Sequence, residues 1–590
     1  MSEIKKYNPD GFSLQIFKDR YALHPNETFD QACKRVSDFI ASAEEGEKIK
    51  HFSDRFYDIL STNRFSPGGR IWRGSGRKKS ACMNCFVLPS EDSREGWGEL
   101  IKNVTIISGL GGGIGISFDN IRPRGTEIKG TGGVATGAVS LMKIINGVCN
   151  ELREGGGRRS ALLFSLSYHH PDIEEFLSVK LDKHELNNAN ISVLVDNKFF
   201  SLVEQDKDIE LKWQDKTIKS IRAKAIYEKV IENSLITGDP GFLNIGNAED
   251  HNNLYSCRKF TSTNPCGEQF LAPYSVCCLG ALVLSSHVKD NGEMDWSLLD
   301  DTVRLGVRFL DNVIDKNEYP LPIIKDSSQK ERRIGLGIMG LHHMLIKMGI
   351  KYSSEKALEI TEEVMSFIKK KAYDASIFLS VEKGQFQLLD RQKFVESGFC
   401  KKSLTPSIRK KIIEYGIRNS FLLTIAPTGT TSIVAGCSSG IEPIFAPVYE
   451  RRFNQHKDFH STMTNKSKEI VIDPLLKQFI ERKEDITNFE GSHDIKPERH
   501  CEIQVACQKH LDNAVSKTIN LPSSSNEKDL SDIILKYIRN LKGMTIYRDT
   551  SKGESPLMPL PKEEAEKYIN QIGTSVQSTD NSCPGGRCEV

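Results

Sequence analysis

The sequence predicts a largely parallel α/β architecture: one large domain with appendages, or a few ordinary domains. Three observations carry this. The chain has 590 residues, far more than one small core needs. From about residue 61 to 545, short apolar runs bounded by Gly or Pro alternate with longer segments of helical period, the repetition that builds parallel sheets. Hydrophobic residues make up 38% and charged residues 27%, which marks a folded globular chain and not a disordered one.

The elements follow in order. Residues 1–60 read as a small helical lead-in, with Phe29, Ala32, Val36 and Ile40 at helical spacing. A helix is expected over Ser93–Ser108, where Trp97, Leu100, Ile101, Val104 and Ile107 share a face and Gly109 stops it. Ala161–Ser167 is an apolar strand, after which His170-Pro171-Asp172 opens a helix carrying Ile173, Phe176 and Leu177. Ser420–Ala426 is a further strand, ended by Pro427. Residues 550–590 are rich in Pro, Lys, Glu, Ser and Gly, so a mobile tail is expected there, with Cys583 and Cys588 near its tip. The chain thus divides into 1–60, 61–549 and 550–590. No internal repeat of 20–50 residues is seen.

Charge and hydropathy exclude several classes. Lys+Arg 80 against Asp+Glu 78 gives a formal net charge of +2, with no basic excess to neutralise a nucleic-acid backbone. No apolar run reaches the roughly 18–20 residues that cross a bilayer, and the first ten residues lack the apolar stretch of a secretion signal. A cytoplasmic location is expected. There the 14 cysteines would stay reduced unless they perform redox or radical chemistry or bind metal.

Several motifs invite chemistry. The glycines at 109, 111, 112, 113 and 115, and those at 155–157, do not match the dinucleotide fingerprint, because Ile114 and Phe118 stand at its last position. Pro427-Thr428-Gly429-Thr430-Thr431-Ser432 follows an apolar strand and offers backbone amides and hydroxyls. That suits a phosphate at a helix start, and a hydroxyl-rich helix cap reads equally well. Gly436-Cys437-Ser438-Ser439-Gly440 matches a hydrolase elbow, but no strand directly precedes its serine. Cys82 and Cys85, the adjacent Cys277 and Cys278, and the tail pair Cys583 and Cys588 are suggestive. Zinc held by Cys82, Cys85, Cys583 and Cys588 is conceivable, but the spacing is wrong for a compact ribbon, so no metal site is assigned. In Asn264-Pro265-Cys266-Gly267-Glu268, Pro and Gly favour a tight loop that thrusts out one thiol. An amide and a carboxylate stand two residues to either side, on the same face if the loop is extended.

Eight motifs in one order then resemble a known family. They are Ser-Pro-Gly-Gly-Arg from Ser66, Asn-Cys-Phe-Val-Leu-Pro from Asn84, Glu-Asp-Ser from Glu91 and Gly-Gly-Gly-Ile-Gly from Gly111. Gly-Gly-Val-Ala-Thr-Gly from Gly132, Asn-Pro-Cys-Gly-Glu from Asn264, Ala-Pro-Thr-Gly-Thr-Thr-Ser from Ala426 and Lys-Thr-Ile-Asn-Leu-Pro from Lys517 complete the set. Together they resemble the catalytic subunit of ribonucleotide reductase, most closely its class II, adenosylcobalamin-dependent form, from about Phe65 to Asp549 and then in the tail.

The resemblance implies a ten-stranded α/β barrel of two five-stranded halves, with the radical cysteine on a central loop. By the same resemblance Cys266 is the thiyl-radical cysteine, Glu268 the base on the 3′ hydroxyl, and Asn264 holds the sugar hydroxyls. Cys85 and Cys277 match the pair that reduces the 2′ carbon, with Cys82 and Cys278 as extra neighbours. Cys583 and Cys588 resemble the tail pair that reopens the resulting disulfide before a thioredoxin-like reductant restores it. Ser66, Asn84, the Gly112-Gly113 turn, Gly429, Thr430 and Thr431 would bind the ribonucleotide substrate. Asp92, Ser93, Arg122 and Lys129 match positions that bind a deoxynucleotide or ATP specificity effector, with Gly155 to Phe164 relaying its identity.

The radical source also follows from the resemblance. No adjacent tyrosine pair is present for a separate di-metal subunit, and no glycyl-radical motif lies near the end; the chain reads Gly543-Met544-Thr545-Ile546-Tyr547-Arg548-Asp549 at the matching region. Adenosylcobalamin is therefore the implied cofactor, a class I catalytic subunit being the alternative and a non-catalytic nucleotide-binding regulator a more distant one. An ATP-cone has no counterpart, and a homodimer is expected.

Overall fold

A computed structural model of the chain describes residues 5–128, 130, 132–152, 161–456, 464–548, 557–561 and 563–571. Ten strands form its main sheet: β1 (Phe65–Pro67), β2 (Cys85–Leu88), β3 (Gly113–Ser117), β4 (Leu162–Ser167), β5 (Ala189–Val195), β6 (Gly241–Asn244), β7 (Val276–Val283), β8 (Ile334–Met339), β9 (Thr518–Leu521) and β10 (Gly543–Arg548). β2 to β6 pair in chain order, all parallel. Helices lie between successive strands, as parallel neighbours require.

A second parallel group faces the first. β7 runs parallel to β8, and β9 parallel to β10. Between these pairs, isolated parallel bridges link Leu336 to Leu423 and Ile425 to Val515. The two groups meet antiparallel at both sides, β7 against β2 and β10 against β6. Two halves of five, the second including residues 421–426, match the architecture expected from the resemblance. β1 is an additional short strand, antiparallel to β7.

The expected strand at Ser420–Ala426 is present only as those two bridges, because its hydrogen bonds are divided between β8 and residues 513–516. The helix expected at Ser93–Ser108 forms as Arg94–Gly109, capped by Ser93, and Gly109 is its last residue. Phe29, Ala32, Val36 and Ile40 are buried on the helix Phe29–Ala41, whose Thr28 and Gln31 complete a capping box.

The helical lead-in is tied to the barrel by charge. Buried Glu44 accepts from Arg308 at 2.8 Å and from Lys383 at 2.8 Å, and Arg308 also holds Glu382. Past residue 549 the expectation of a wholly mobile tail needs correction. Leu557–Pro559 adds a strand to the hairpin Val448–His456/Thr464–Ile472, and residues 563–571 are helical. Leu560, Tyr568 and Ile569 supply enough apolar surface to pack against Leu475 and Leu476. Among the described residues no helix is long and apolar enough to cross a membrane.

Candidate active site

The segment carrying Asn264 to Glu268 is the tip of a short hairpin, Ser262–Thr263 against Phe270–Leu271. Gly267, at φ +77°, makes the turn that a side chain would strain. Both halves of the barrel hold the hairpin. On β3, a Cβ at Gly115 would stand 1.6 Å from the Thr263 carbonyl oxygen, so only glycine admits this approach. From the other half, Ala514 N–H (3.0 Å) and the Thr424 hydroxyl (2.7 Å) donate to the Glu268 carbonyl. Asn513 accepts from Phe270 N–H and donates to the Gln269 side chain, each at 2.8 Å.

The tip projects into a cavity of about 660 Å³ lined by Asn264, Cys266, Glu268, Cys85, Ser66 and Asn84, among others. The Cys266 side chain is exposed to this open cavity, as a loop that thrusts out one thiol requires. Glu268 is 1% exposed. Burial, first of all, pushes its carboxyl up to about 7, against the opposing effect of hydrogen bonds from Asn264 and Cys85. Oε1 lies 3.9 Å from the Cys85 Sγ, while the buried Oε2 has no protein partner. The Asn264 side-chain oxygen accepts from Gln269 N–H at 2.9 Å, which fixes the amide's direction.

Cys85 and Cys277 face each other in register across β2 and β7. Neither is in a disulfide. Cys85 lines the cavity and Cys277 does not, and both belong to a cluster with Val87, Leu271 and Leu279. Burial raises both thiols well above their ordinary range; nearby Glu268 adds to this at Cys85, while the Arg333 charge opposes it at Cys277. Cys278 points away, its Sγ against the Leu310 carbonyl at 3.4 Å, and Cys82 is buried separately.

The far end of the cavity gathers a helix start, hydroxyls and arginine side chains. The helix Gly429–Val434 starts here after Thr428 at φ +52°, and Gly429, Thr430 and Thr431 line the wall. Ser66 is positioned by the Trp72 indole N–H, which donates to its hydroxyl at 3.1 Å. Asn84 keeps a buried side-chain oxygen without a partner. Gly113 reaches the cavity, but Gly112 does not: a Cβ there would strike Ile107 and Phe86 at 2.7 Å, so it serves close packing. The sequence reading missed Arg20, Tyr21, Arg70 and Arg73, which also line the cavity. Arg70 closes the Ser-Pro-Gly-Gly-Arg motif, and Arg73 follows three residues later on the helix Gly69–Gly74, a spacing that puts both on one face. Nothing local marks Arg20 and Tyr21; Tyr21 arrives by tertiary packing and bonds the Thr430 hydroxyl.

Asp92, Ser93 and Arg122 come together elsewhere. Arg122 bonds Asp92 through its Nε at 2.7 Å and its backbone N–H at 3.1 Å, and Ser93 caps its helix. Asp92 opens on a cavity of about 440 Å³ with Asp119, His169, His170 and Lys212. Lys129, Gly155–Ser160, Cys583 and Cys588 lie outside the described residues.

A further cavity of about 860 Å³ adjoins the first across the helix Gly429–Val434. Gly436 to Ser439 of the elbow-like segment lie in its wall, and Ser438 there is buried with a hydroxyl that has no partner. Among the described residues, no three or more His, Cys, Asp or Glu side chains are grouped to hold a metal ion.

Two family models match the chain: "Ribonucleotide reductase, barrel domain" over residues 83–547 and "Ribonucleotide reductase, all-alpha domain" over 7–80. A vitamin B12-dependent ribonucleoside-diphosphate reductase of Thermoplasma acidophilum is 36% identical, over 94% of this chain and 73% of its own. One of Mycobacterium tuberculosis is 31% identical, over 98% of this chain and 84% of its own. A ribonucleoside-diphosphate reductase subunit alpha of Chlamydia pneumoniae is 27% identical, over 88% of this chain and 57% of its own.

Proposed function

Because the chain belongs to the ribonucleotide reductase family, we propose that it converts ribonucleotides to 2′-deoxyribonucleotides by a thiyl-radical mechanism dependent on adenosylcobalamin. The observation that carries this is Asn264, Cys266, Glu268 and Cys85 converging on one cavity whose far end is suited to a phosphate. Similarity to relatives named vitamin B12-dependent ribonucleoside-diphosphate reductases supports the cofactor, and favours diphosphates as substrates.

Adenosylcobalamin would supply organic-radical chemistry, and the Cys266 thiol would give up its hydrogen atom to it and become the thiyl radical. Cys266 then removes the 3′ hydrogen of the ribose. Glu268, poised near neutrality, accepts the 3′ hydroxyl proton on Oε2, and Asn264 orients the sugar. Cys85 and Cys277 together give two electrons and two protons; the 2′ hydroxyl leaves as water and an S–S bond forms. Cys266 then returns the hydrogen atom to the 3′ carbon and is left again as the thiyl radical. The diphosphate is received by the amides and hydroxyls at Gly429, Thr430 and Thr431, with Ser66 and Asn84, and with positive charge from Arg20, Arg70 and Arg73.

Cys583 and Cys588 reopen the disulfide by thiol exchange and are recharged by a thioredoxin-like reductant. A deoxynucleotide or ATP effector binds around Asp92, Ser93, Arg122 and Lys129. A homodimer is favoured by exposed Ile106 and Ile144 on the neighbouring helices Arg94–Gly109 and Ala138–Glu151. The deciding assay mixes the purified chain with adenosylcobalamin, dithiothreitol and a ribonucleoside diphosphate. Deoxynucleotide formed without a second protein is the expected result; turnover only with a di-metal subunit would replace this reading with the class I one.

A further inference from the structure

A buried charge stands beside the thiol pair that closes a disulfide in the proposed reaction. β7 and β8 pair in parallel with Leu279 opposite Gly335, and this face is turned to the hairpin of Cys266: a Cβ at Gly335 would meet the Leu279 side chain at 2.6 Å and the Gln269 amide at 2.9 Å. Two residues back along each chain, on the same face, stand Cys277 and Arg333. Cys277 therefore has Cys85 as its neighbour on one side and Arg333 on the other.

Arg333 is 1% exposed, and its bonding is incomplete. Its Nη1 donates to the Phe270 carbonyl at 3.1 Å, and its guanidinium lies 3.7 Å from the centre of the Phe421 ring. Its ion pair, Nε to Glu331 Oε2, is long at 3.5 Å, and the other oxygen of Glu331 is committed to Arg258, Ser275 and Ser327. Nε and Nη2 have no hydrogen-bond partner among the described residues. Natural interiors leave few donors in that state unless a ligand, a water or a reaction uses them. A fixed cation with spare N–H groups behind one sulfur of a redox pair is placed to receive negative charge there. Cys278, Glu268 and Asp512 disfavour a negative sulfur at Cys277, and Arg333 favours one.

We propose that Arg333 is a positioning residue for the thiol exchange, holding Cys277 as the departing thiolate so that reductant attacks Cys85. The inference rests on the reductase reading and adds to it the direction in which the disulfide is reopened. Access agrees with charge, since Cys85 lines the cavity and Cys277 does not. An incoming thiolate bonds to the Cys85 Sγ; the S–S bond breaks, and its electron pair goes to the Cys277 Sγ beside Arg333. Cys277 then takes up a proton. The second thiol of the reductant loses its proton, attacks the reductant's own sulfur in the mixed disulfide and frees Cys85. The reductant is oxidised by two electrons and the pair is reduced by two.

The test uses the full chain oxidised with diamide, with peptide mapping to identify the Cys85–Cys277 disulfide. It needs no nucleotide turnover, so its failure and the failure of the reductase reading are separate results. Brief treatment of wild type with 2-mercaptoethanol, stopped with acidic N-ethylmaleimide, should leave mercaptoethanol on Cys85 and the maleimide on Cys277. The reverse pattern overturns the direction of exchange, whatever the variants do. Reduction by dithiothreitol should be about 3- to 30-fold slower in Arg333→Met and Arg333→Gln, the range that an opposite charge beside a leaving thiolate supplies, and within about 2-fold of wild type in Arg333→Lys. Glu331 keeps Arg258 in every variant, so unchanged melting temperatures are expected. A folded Arg333→Met or Arg333→Gln reduced at the wild-type rate, or an Arg333→Lys as slow as Arg333→Met, overturns the role of Arg333. If oxidation joins neither Cys85 nor Cys277 to the other, the pair itself fails and the inference with it.

Discussion

Replacing Glu268 by glutamine removes one ionisable oxygen from the site and changes its volume little. The carboxyl titrates near 7 because it is 1% exposed, with one oxygen near Cys85 and the other unpartnered. A base placed this close to neutrality contributes about 10²- to 10⁴-fold to rate, so Glu268→Gln should lose that factor in kcat. In wild type, kcat/KM should fall as pH drops through about 7, where the carboxylate takes up its proton, and the variant should lack this limb. Stability should move the other way. A carboxyl raised from 4.5 to about 7 on folding leaves the native state at full stability below 4.5 and costs it progressively up to 7. Above pH 7 the cost is about 3 kcal/mol. The stability of Glu268→Gln relative to wild type should therefore grow between pH 4.5 and 7 and level off above, as followed by denaturant unfolding. Activity within about 10-fold of wild type, or an unchanged acid limb, would refute the role assigned to Glu268.

Other outcomes follow from the same geometry. Gly115→Ala must push its Cβ into the Thr263 carbonyl, so the hairpin shifts; overpacking of about 1–3 kcal/mol in unfolding and near-complete loss of turnover are expected. Cys85→Ser and Cys277→Ser should each stop the formation of deoxynucleotide, while peptide mapping after turnover of wild type without reductant should find these two sulfurs joined. Removing both Cys583 and Cys588 should spare turnover with dithiothreitol and abolish it with thioredoxin; loss with both reductants would contradict a relay role. Arg70→Met should raise KM for a nucleoside diphosphate without a matching fall in kcat, in steady-state kinetics at low salt.

Legibility in the sequence tracked how local the determining physics is. The helix from Arg94 and the strand from Leu162 were readable because apolar spacing reports burial directly. Residues 420–426 read as a full strand, but their ladder is shared between two neighbours and reduces to bridges, which no local pattern records. Asn264, Cys266 and Glu268 were found together because five consecutive residues carry them. Cys85 and Cys277 are nearly two hundred residues apart, and it is the antiparallel register of β2 and β7 that brings them opposite each other. The Gly112-Gly113 pair looked alike in sequence; only packing against Phe86 and Ile107 separates a spacer from a cavity residue. Tyr21 enters the site from the helical lead-in, and Ser438 sat in a motif that pointed to the wrong chemistry.

The mechanism requires the Cys266 sulfur to carry the unpaired electron. Freeze-quench electron paramagnetic resonance of the chain mixed with adenosylcobalamin and a nucleotide effector tests it directly, using cysteine deuterated at its β carbon. A cobalt-coupled sulfur signal that narrows on deuteration and disappears in Cys266→Ser is expected. A signal unaffected by deuteration, or one that persists in Cys266→Ser, would contradict it.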